Sequence, residues 1–324
     1  MTPPDARSPI SRRSFLHVAG VGTVGAIAAA CNVGGVKNAA AMTAGGRLTA
    51  RPGAPTTSVT PGEQPLSLGE GGRDGILYVP SGYVATTPAP LVLMLHGATG
   101  SARGALRPFR ELADDAGLVL LAPESRGSTW DAIRGDYGPD IAFIDRALTW
   151  VFDRVTVDPA RLTIEGFSDG ATYAIGVGLT NGDLFPRVIA FSPGFILPVD
   201  AHARPRLFIS HGTRDQILPI DQCSRRIVPA LEREKYNVEY REFDGPHAVP
   251  PNIAKDAVAT VAVGLDRPEL SKAVGVIASL DKAGRPVLAV QYKGEPVIVN
   301  GKDVLWKRID EEAMASILLW EKPT

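Results

Sequence analysis

The chain has 324 residues, of which 44% are hydrophobic, and its 34 basic and 35 acidic side chains give a formal net charge of −1 at pH 7. This balance provides no basic stripe for phosphate groups and argues against nucleic acid as a partner. Only two cysteines are present, Cys31 and Cys223. The sequence therefore excludes a disulfide framework and a cysteine-rich metal site.

The first 41 residues have the pattern of an export signal. Arg12 and Arg13 lie just upstream of a Gly/Ala-rich apolar stretch, residues 18–30, which is the arrangement of a twin-arginine signal peptide. A membrane-spanning helix needs about 20 apolar residues, more than this stretch provides. Residues 1–41 are therefore predicted to bring the chain to the twin-arginine (Tat) export machinery and the protein to the periplasm, the cell envelope or the exterior.

Processing of this signal has two interpretations. The sequence Ala-Ala-Ala-Cys that ends at Cys31 resembles a lipoprotein processing site, which would leave Cys31 acylated as a membrane tether. Cleavage after Ala41, with Ala39 and Ala41 as the small residues, is the alternative. The segment that follows, residues 42–65, is predicted to be a flexible tether, because its composition cannot bury enough apolar surface to order itself.

Residues 66–265 alternate short apolar runs with amphipathic stretches. This alternation predicts an α/β fold, in which right-handed crossovers build a mostly parallel sheet with helices on both faces. About 200 residues are enough for one domain with a substantial core. The predicted strands are residues 75–79, 91–95, 118–122, 162–165, 187–191, 206–210 and 238–243, and the predicted helices are residues 103–116, 140–154, 171–179, 221–235 and 252–263.

A glycine-containing loop, His96 to Gly100, follows the second of these strands. Loops in this place supply a backbone N–H to an oxyanion hole, which stabilises the negative oxygen formed when an ester carbonyl is attacked. Ala98 is the predicted donor. His96 is expected to hydrogen-bond within its own loop and to transfer no proton.

The polar and aromatic loop 124–138 follows the carboxyl end of another predicted strand, the side on which such sheets bind ligands. Trp130 and Tyr137 in this loop are candidates for a substrate-side wall. Packing of both rings against the domain is the alternative.

The pentapeptide Gly166-Phe167-Ser168-Asp169-Gly170 lies between a predicted strand and a predicted helix. This GxSxG pattern is typical of a nucleophile elbow, a sharp turn that exposes a serine hydroxyl and leaves no room for side chains two residues away. Ser168 is thus the candidate nucleophile. The residue after it, Asp169, is the second predicted donor to the oxyanion hole.

An acid and a base follow the elbow in the order that such hydrolases require, Ser, then acid, then His. Of the five histidines, only His247 lies beyond a suitable acid that itself follows Ser168. The favoured acid is Asp215, which ends an apolar run in a Gly-containing loop. Asp221 is the competitor, but it opens a predicted helix and is better interpreted as its N-cap.

The tail, residues 268–324, does not continue the α/β alternation. Short strand-like runs are separated by glycines and by Asn300-Gly301, a pair that favours a tight hairpin. A small β-meander is predicted here as a C-terminal appendage.

The four blocks 95–97, 166–170, 211–215 and 245–247 together resemble the phospholipase/carboxylesterase group of the α/β-hydrolase fold, over residues 66–265. The resemblance implies Ser168 as nucleophile, Asp215 as acid and His247 as base, with no metal or organic cofactor. Relatives in that group often have Gln after the serine and a second Gly after the elbow, where this chain has Asp169 and Ala171. The polyester depolymerase and feruloyl esterase group shares the layout and is the nearest rival.

The function predicted from the sequence is an exported serine esterase that acts on a small-molecule or lipid ester through an acyl-enzyme intermediate. The same three residues also serve peptidases and thioesterases, so these activities remain alternatives. A tethered binding protein with a relict site is the non-enzymatic alternative.

Overall fold

A computed structural model of the chain describes residues 44–69 and 72–262, together with the backbone of four strands farther along. The chain divides into two compact units, Met1–Ala257 and Val258–Thr324. The signal peptide, Cys31 and the Asn300-Gly301 pair, on which three of the sequence predictions depend, lie outside the described residues.

The described strands and helices alternate through the first unit. The strands of the large sheet are β1 (Gly62–Pro65), β2 (Gly75–Val79), β3 (Ala89–Leu95), β4 (Val119–Pro123), β5 (Val157–Phe167), β6 (Arg187–Phe191), β7 (Arg206–Gly212) and β8 (Val238–Phe243). The helices are α1 (Ala102–Arg110), α2 (Ala113–Ala116), α3 (Asp131–Arg134), α4 (Pro139–Phe152), α5 (Asp169–Thr180), α6 (Ser224–Arg233) and α7 (Pro251–Ala262), and a 3₁₀ turn covers Ala44–Gly46.

The eight strands form one sheet in the order β1-β2-β4-β3-β5-β6-β7-β8. At one end of the sheet the pairing is antiparallel, β1 with β2 and β2 with β4. From β4 to β8 every pairing is parallel. The sheet is therefore mostly parallel, as the alternation of the sequence predicted.

The central strands are buried without alternation. Every residue of β3, β4 and β6 is buried, which is the pattern of parallel strands covered on both faces. Apolar side chains of β3 and β5, such as Leu93 and Ile164, belong to the same core as those of α4 and α5, such as Leu148 and Ile175. This rigid central part carries the turns that end at the carboxyl edge of the sheet.

Two helix predictions need correction. The predicted helix 103–116 is two helices, α1, whose N-cap Ser101 accepts a hydrogen bond from the Gly104 N–H, and α2, which ends at the left-handed Gly117. Asp221 does not cap α6, because that helix begins at Ser224 with Cys223 as its N-cap. The Asp221 carboxylate instead forms an exposed ion pair with Arg225 at 2.8 Å.

The flexible tether predicted for residues 42–65 is also wrong over the part that the structure describes. Leu48 and Ala50 are buried, with exposures of 2% and 6%. The Arg47 guanidinium forms two hydrogen bonds with the Asp183 carboxylate, at 2.7 and 3.0 Å, and the Asp145 carboxylate accepts from the backbone N–H groups of Thr49 and Ala50. Partners distant in sequence thus order a segment whose own composition favours disorder.

The tail forms a separate four-stranded antiparallel sheet. Its strands β9 (Ala273–Leu280), β10 (Pro286–Tyr292), β11 (Glu295–Val299) and β12 (Lys307–Arg308) are neighbours in chain order. The β-meander is therefore present where the sequence predicted it. Within the described residues, no helix is long and apolar enough to cross a membrane.

Candidate active site

Ser168 occupies a strained turn between β5 and α5. Its backbone angles, φ 59° and ψ −121°, lie outside the regions that residues with a side chain ordinarily adopt. A Cβ at Gly166 would lie 2.2 Å from the Gly170 carbonyl oxygen, and one at Gly170 would lie 2.1 Å from the Leu95 carbonyl oxygen. Both glycines are thus required by close approach of the backbone, as a nucleophile elbow demands.

His247 and Asp215 form a hydrogen-bonded pair. Nδ1 of His247 lies 2.5 Å from Oδ2 of Asp215, although 32 residues separate them in sequence. The Asp215 side chain is fully buried and that of His247 is 13% exposed. The His247 ring lies 4.6 Å, between ring centroids, from Phe167, the residue before Ser168. The structure therefore brings the predicted acid, base and elbow to one region.

Backbone donors and a second histidine hold the Asp215 carboxylate. Its Oδ1 accepts from the N–H groups of Ile217 and Leu218, at 2.9 and 2.8 Å. Nε2 of His211 lies 3.2 Å from Oδ2 of Asp215. Burial opposes ionisation of the carboxyl, but the hydrogen bonds from Leu218 and His247 outweigh it and keep the pKa of Asp215 below its ordinary value.

His211 was not singled out by the sequence analysis as a neighbour of the acid. It is fully buried, with Nδ1 2.7 Å from Oγ of Ser224 and Nε2 2.7 Å from the Leu218 carbonyl oxygen. Burial lowers its pKa, which favours the neutral ring. Both neighbours of Nε2, the Leu218 carbonyl oxygen and the Asp215 carboxylate, can only accept a hydrogen bond. We therefore assign the ring proton to Nε2, where it supports the loop that carries Asp215.

The glycine loop after β3 lies against the elbow. A Cβ at Gly97 would come within 3.2 Å of the Ser168 Cβ. In the described part of the chain, the backbone N–H groups of Ala98 and Asp169 have no hydrogen-bond acceptor. Two free donors next to a serine hydroxyl have the character of an oxyanion hole.

His96 has the structural role expected for it. Nδ1 lies 2.7 Å from the Gly97 carbonyl oxygen, and Nε2 accepts from the Ser125 N–H at 3.0 Å. The second contact fixes the proton on Nδ1, and burial lowers the pKa of the ring. His96 therefore braces the loop as a neutral side chain.

Trp130 and Tyr137 do not form the substrate-side wall suggested by the sequence. Trp130 is fully buried, stacks on Tyr173 at 5.1 Å and donates from Nε1 to the His96 carbonyl oxygen at 2.8 Å. Tyr137 packs against the core, with a buried hydroxyl. Both rings follow the packing alternative, because the loop folds back on α5 instead of facing solvent.

Two carboxylates that the sequence analysis did not single out fix this loop. Asp131 accepts from the Tyr173 hydroxyl at 2.9 Å and from the Gly138 N–H at the same distance. The buried Asp140 accepts from the Asp131 N–H at 2.7 Å. Thr129, held within the same loop, donates to Oδ2 of Asp169 at 2.6 Å, so the residue after the nucleophile is anchored through its side chain.

A cavity of about 640 Å³ opens beside the elbow. Its walls include His247, Phe167 and the oxyanion-loop residues Gly97 and Ala98, and α1 and the start of α7 close its other sides. Glu165 of β5 also lines it. In the part of the chain covered by the structure, no group of three His, Cys, Asp or Glu side chains could hold a metal ion.

Comparison with known proteins gives the fold. No family model matches the chain. An S-formylglutathione hydrolase from Staphylococcus aureus superposes with a TM-score of 0.51 and 16% identity over 63% of this chain and 98% of that one. A fluorophosphonate-binding serine hydrolase from the same species gives 0.50 and 16%, over 62% and 99%. The chain has the α/β-hydrolase fold. The fold class predicted from the sequence is thus confirmed.

Curated relatives are esterases. Feruloyl esterase C from Emericella nidulans is 28% identical over 158 residues, which are 46% of this chain and 57% of that protein. Acetylxylan esterase A from Talaromyces purpureogenus is 28% identical over 125 residues, 36% of this chain and 32% of that protein. The chain spans about half the length of the feruloyl esterases it matches and a third of the acetylxylan esterases. The first group is the one that the sequence analysis gave as the nearest rival.

Proposed function

We propose that the protein is a serine esterase that cleaves carboxylic esters through an acyl-enzyme intermediate. The observation that carries this proposal is the strained backbone of Ser168, at φ 59° and ψ −121°, next to a buried Asp215–His247 pair. Backbone strain of this kind costs about 1–3 kcal/mol and is concentrated at functional sites. A turn with only a structural role would gain nothing from this backbone strain, whereas at Ser168 the strain places the hydroxyl beside a histidine and two free N–H donors.

In the first half of the reaction, Nε2 of His247 accepts the Ser168 proton as the serine oxygen attacks the ester carbonyl. Asp215 accepts a hydrogen bond from Nδ1 of His247 at 2.5 Å, which holds the ring in the tautomer that leaves Nε2 free. The carboxylate also stabilises the imidazolium that forms. The N–H groups of Ala98 and Asp169 stabilise the oxyanion of the tetrahedral intermediate.

In the second half, His247 returns its proton to the leaving alcohol, and the acyl group stays on Ser168. Water then attacks the acyl-enzyme, with His247 again as the base, and releases the acid. These side chains supply the nucleophile, the proton transfers and the charge stabilisation, so no step requires a metal or an organic cofactor.

The relatives favour an oxygen ester as the substrate. Proteins named feruloyl esterase and acetylxylan esterase are similar to this chain over 158 and 125 residues, which supports ester cleavage over the peptidase and thioesterase alternatives. We therefore propose a small-molecule ester as the substrate. A substrate panel that also contains a phospholipid and a polyester would distinguish these alternatives from it.

Labelling by a fluorophosphonate probe tests the nucleophile. Wild-type protein should be labelled and should hydrolyse p-nitrophenyl acetate, whereas Ser168→Ala should lose the label and at least about 10³-fold in kcat. Ser192→Ala is the matched control, because Ser192 is also a buried serine with positive φ, 51°, at the end of the neighbouring strand. Folded protein that is not labelled, with hydrolysis that survives Ser168→Ala, would remove the assignment.

The proposal includes export by the twin-arginine route. It rests on Arg12, Arg13 and the apolar stretch behind them. Replacement of both arginines by lysine should retain the esterase inside the cytoplasm, as measured by cell fractionation. Release of the Cys31→Ala variant from the membrane fraction would support acylation at Cys31, and unchanged distribution would support cleavage after Ala41.

A further inference from the structure

The two candidate oxyanion donors belong to loops that are far apart in the chain. The Ala98 N–H lies in the loop after β3, and the Asp169 N–H lies at the start of α5. Both groups have to point at one oxygen, at about 2.7–3.1 Å, to stabilise its negative charge. The activity therefore depends on how accurately the protein holds one loop against the other.

The loop that contains Ala98 is a tight turn with an unfavourable backbone. A hydrogen bond from the Gly100 N–H to the Gly97 carbonyl oxygen, at 3.0 Å, closes the turn. Thr99, inside it, has φ 58°, in the left-handed region where a β-branched residue is an outlier. Such conformations persist only where the surrounding structure holds them. Contacts from outside the turn are therefore needed to keep the Ala98 N–H in its orientation.

Two consecutive residues of the loop 124–138 contact both sides of the candidate oxyanion hole. The Ser128 carbonyl oxygen accepts a hydrogen bond from the Thr99 N–H at 2.6 Å. The Thr129 hydroxyl donates to Oδ2 of Asp169, also at 2.6 Å. Two neighbouring groups of the chain thus join the two loops, and we call Ser128 and Thr129 the clamp.

Neighbouring residues fix the clamp in place. The Ser125 N–H donates to Nε2 of His96 at 3.0 Å, and Nε1 of Trp130 donates to the His96 carbonyl oxygen at 2.8 Å. Trp130 is fully buried, and Thr129 is only 8% exposed. Because these contacts leave the clamp little freedom to move, it can hold the turn in its strained conformation.

Direct packing between the loops does not determine the direction of the N–H groups. A Cβ at Gly97 would come within 3.2 Å of the Ser168 Cβ, so the loops are in contact, but this contact fixes only their separation. Within the described residues, Thr129 is the only hydrogen-bond partner of the Asp169 side chain. Loss of the Thr129 hydroxyl would therefore free this side chain and remove its constraint on the adjacent backbone N–H.

We propose that Thr129 is a positioning residue for catalysis which, together with the Ser128 carbonyl, sets the relative orientation of the Ala98 and Asp169 N–H groups. This inference rests on the proposed esterase function and adds a residue to its machinery. Thr129 does not line the cavity and acts through Asp169. Its contribution belongs to the transition state, in which the oxyanion forms, and not to the bound substrate.

Steady-state kinetics on p-nitrophenyl acetate tests the proposal. Thr129→Val keeps the shape of the side chain without its hydroxyl. It should lower kcat by about 10–100-fold, less than or equal to the loss of a whole oxyanion donor, and should change KM by less than about twofold. Thr129→Ser restores the hydroxyl and should recover most of the lost activity. The concentration of active enzyme is counted by fluorophosphonate titration, so partial unfolding does not lower kcat.

Thr57→Val is the matched control. Thr57 also donates from its hydroxyl to a carboxylate, that of Asp153 at 2.8 Å, but neither residue contacts the elbow or lines the cavity. Its substitution should leave kcat unchanged. An equal loss of kcat in Thr57→Val and Thr129→Val would overturn the proposal, because any lost threonine–aspartate hydrogen bond would then have the same effect.

A double-mutant cycle tests whether Thr129 acts through Asp169. Asp169→Ala keeps the backbone N–H but removes the acceptor of the Thr129 hydrogen bond. In that background, Thr129→Val should change kcat by less than about twofold, because the two side chains act as one unit. Equal losses in both backgrounds would show that Thr129 acts independently of Asp169, and would overturn the proposal.

Inhibition by a matched pair of ketones locates the effect at the oxyanion. With 1,1,1-trifluoro-4-phenylbutan-2-one, the Ser168 oxygen bonds to the carbonyl carbon, the carbonyl π electrons move onto its oxygen, and the serine proton passes to Nε2 of His247. Thr129→Val should weaken this inhibitor by the factor by which it lowers kcat/KM. Inhibition by 4-phenylbutan-2-one, which binds without forming the bond, should not change. An equal loss for both ketones would mean that the pocket itself is damaged, and would overturn the proposal.

The outcomes separate this inference from the proposed function. A wild type that neither hydrolyses the ester nor is labelled at Ser168 would reject the esterase function, and the inference with it. A wild type that does both, together with an unchanged kcat in Thr129→Val, would reject only the positioning role of Thr129.

Discussion

Among single residues, Asp215 has the most constrained environment of the candidate site. Backbone N–H groups fix one carboxylate oxygen, and the rings of His211 and His247 lie at the other. An amide in its place would present an N–H to Nδ1 of His247 and stabilise the wrong tautomer. Asp215→Asn should therefore lower kcat by about 10³–10⁴-fold, with a small change in KM, in assays with p-nitrophenyl acetate.

Asp221→Asn is the control for this prediction. Asp221 was the competing acid on sequence grounds, but its side chain is 77% exposed and paired with Arg225. Its substitution should leave kcat unchanged. Loss of activity in Asp221→Asn together with retention in Asp215→Asn would reverse the assignment of the acid.

Glu165 should make stability depend on pH. A carboxyl whose pKa rises on folding stabilises the native state fully below its unfolded pKa of about 4.3, and this stabilisation is lost as the pH rises. Burial raises the pKa of Glu165, so the contribution of this one side chain to stability should fall from about pH 4.3 upward. The glutamine side chain of Glu165→Gln does not titrate, so it makes no pH-dependent contribution to stability. Its Tm, relative to the wild type, should increase between pH 4 and pH 8.

Each kcal/mol corresponds to about 2–4 °C in Tm for a domain of this size, so calorimetry at several pH values resolves the effect. Thr163→Val, two residues earlier on β5, changes no titratable group and provides the control, so it should give a constant difference in Tm. A Tm difference for Glu165→Gln that stays flat or falls with pH would contradict a buried, protonated Glu165.

At the level of elements, the elbow depends on the contact between the start of α5 and the end of β3. A Cβ at Gly170 would meet the Leu95 carbonyl oxygen at 2.1 Å, and backbone on both sides leaves no flexible atom to move. Gly170→Ala should destabilise the protein by about 3 kcal/mol or more, as measured by urea unfolding. Gly53→Ala, where a Cβ meets nothing within 4 Å, should change stability by less than about 0.5 kcal/mol. Equal effects of the two substitutions would exclude close packing at the elbow.

The large sheet was predictable because its signal is local. Strands buried on both faces are continuous apolar runs, and Gly75–Val79 and Arg187–Phe191 have the predicted limits. The edge strand Val238–Phe243 also has the predicted limits, although its residues are half-buried or exposed. The elbow was also predictable, because a strained serine between a strand and a helix requires glycines at fixed offsets. Asp215 and His247 were predicted as its partners from the order nucleophile, acid, base along the chain, which is the order that the α/β-hydrolase fold requires.

The errors concern features that depend on distant partners. Residues 44–65 are ordered by Asp145, Asp153 and Asp183, none of which their own composition reveals. Trp130 is buried because it stacks on Tyr173 and donates a hydrogen bond to the His96 carbonyl oxygen. The sequence does not reveal these contacts, since a tryptophan in a polar loop is equally compatible with a binding surface. Glu165 did carry a signal, an acid inside an apolar strand, but its complete burial depends on the layers that cover the sheet, which the sequence pattern does not reveal.

At the level of the whole molecule, the candidate chemistry is confined to one of the two units. Every residue assigned to the site or its cavity lies between Leu95 and Ala254, within the unit Met1–Ala257. The four-stranded tail sheet lies in the other unit and pairs only with itself among the described strands. A domain with its own core can in principle fold alone.

A chain that ends after residue 265, which retains all of α7, should therefore hydrolyse p-nitrophenyl acetate with a kcat/KM within roughly twofold of the full-length protein, because the site and core of the first unit are unchanged. A chain that ends after Gly245 lacks His247 and should be inactive, which makes it the negative control. Near-UV circular dichroism of the shortened chains reports whether the core is intact. A tenfold loss in the longer form with an unchanged spectrum would mean that the tail takes part in catalysis or substrate binding, and would extend the site beyond the first unit.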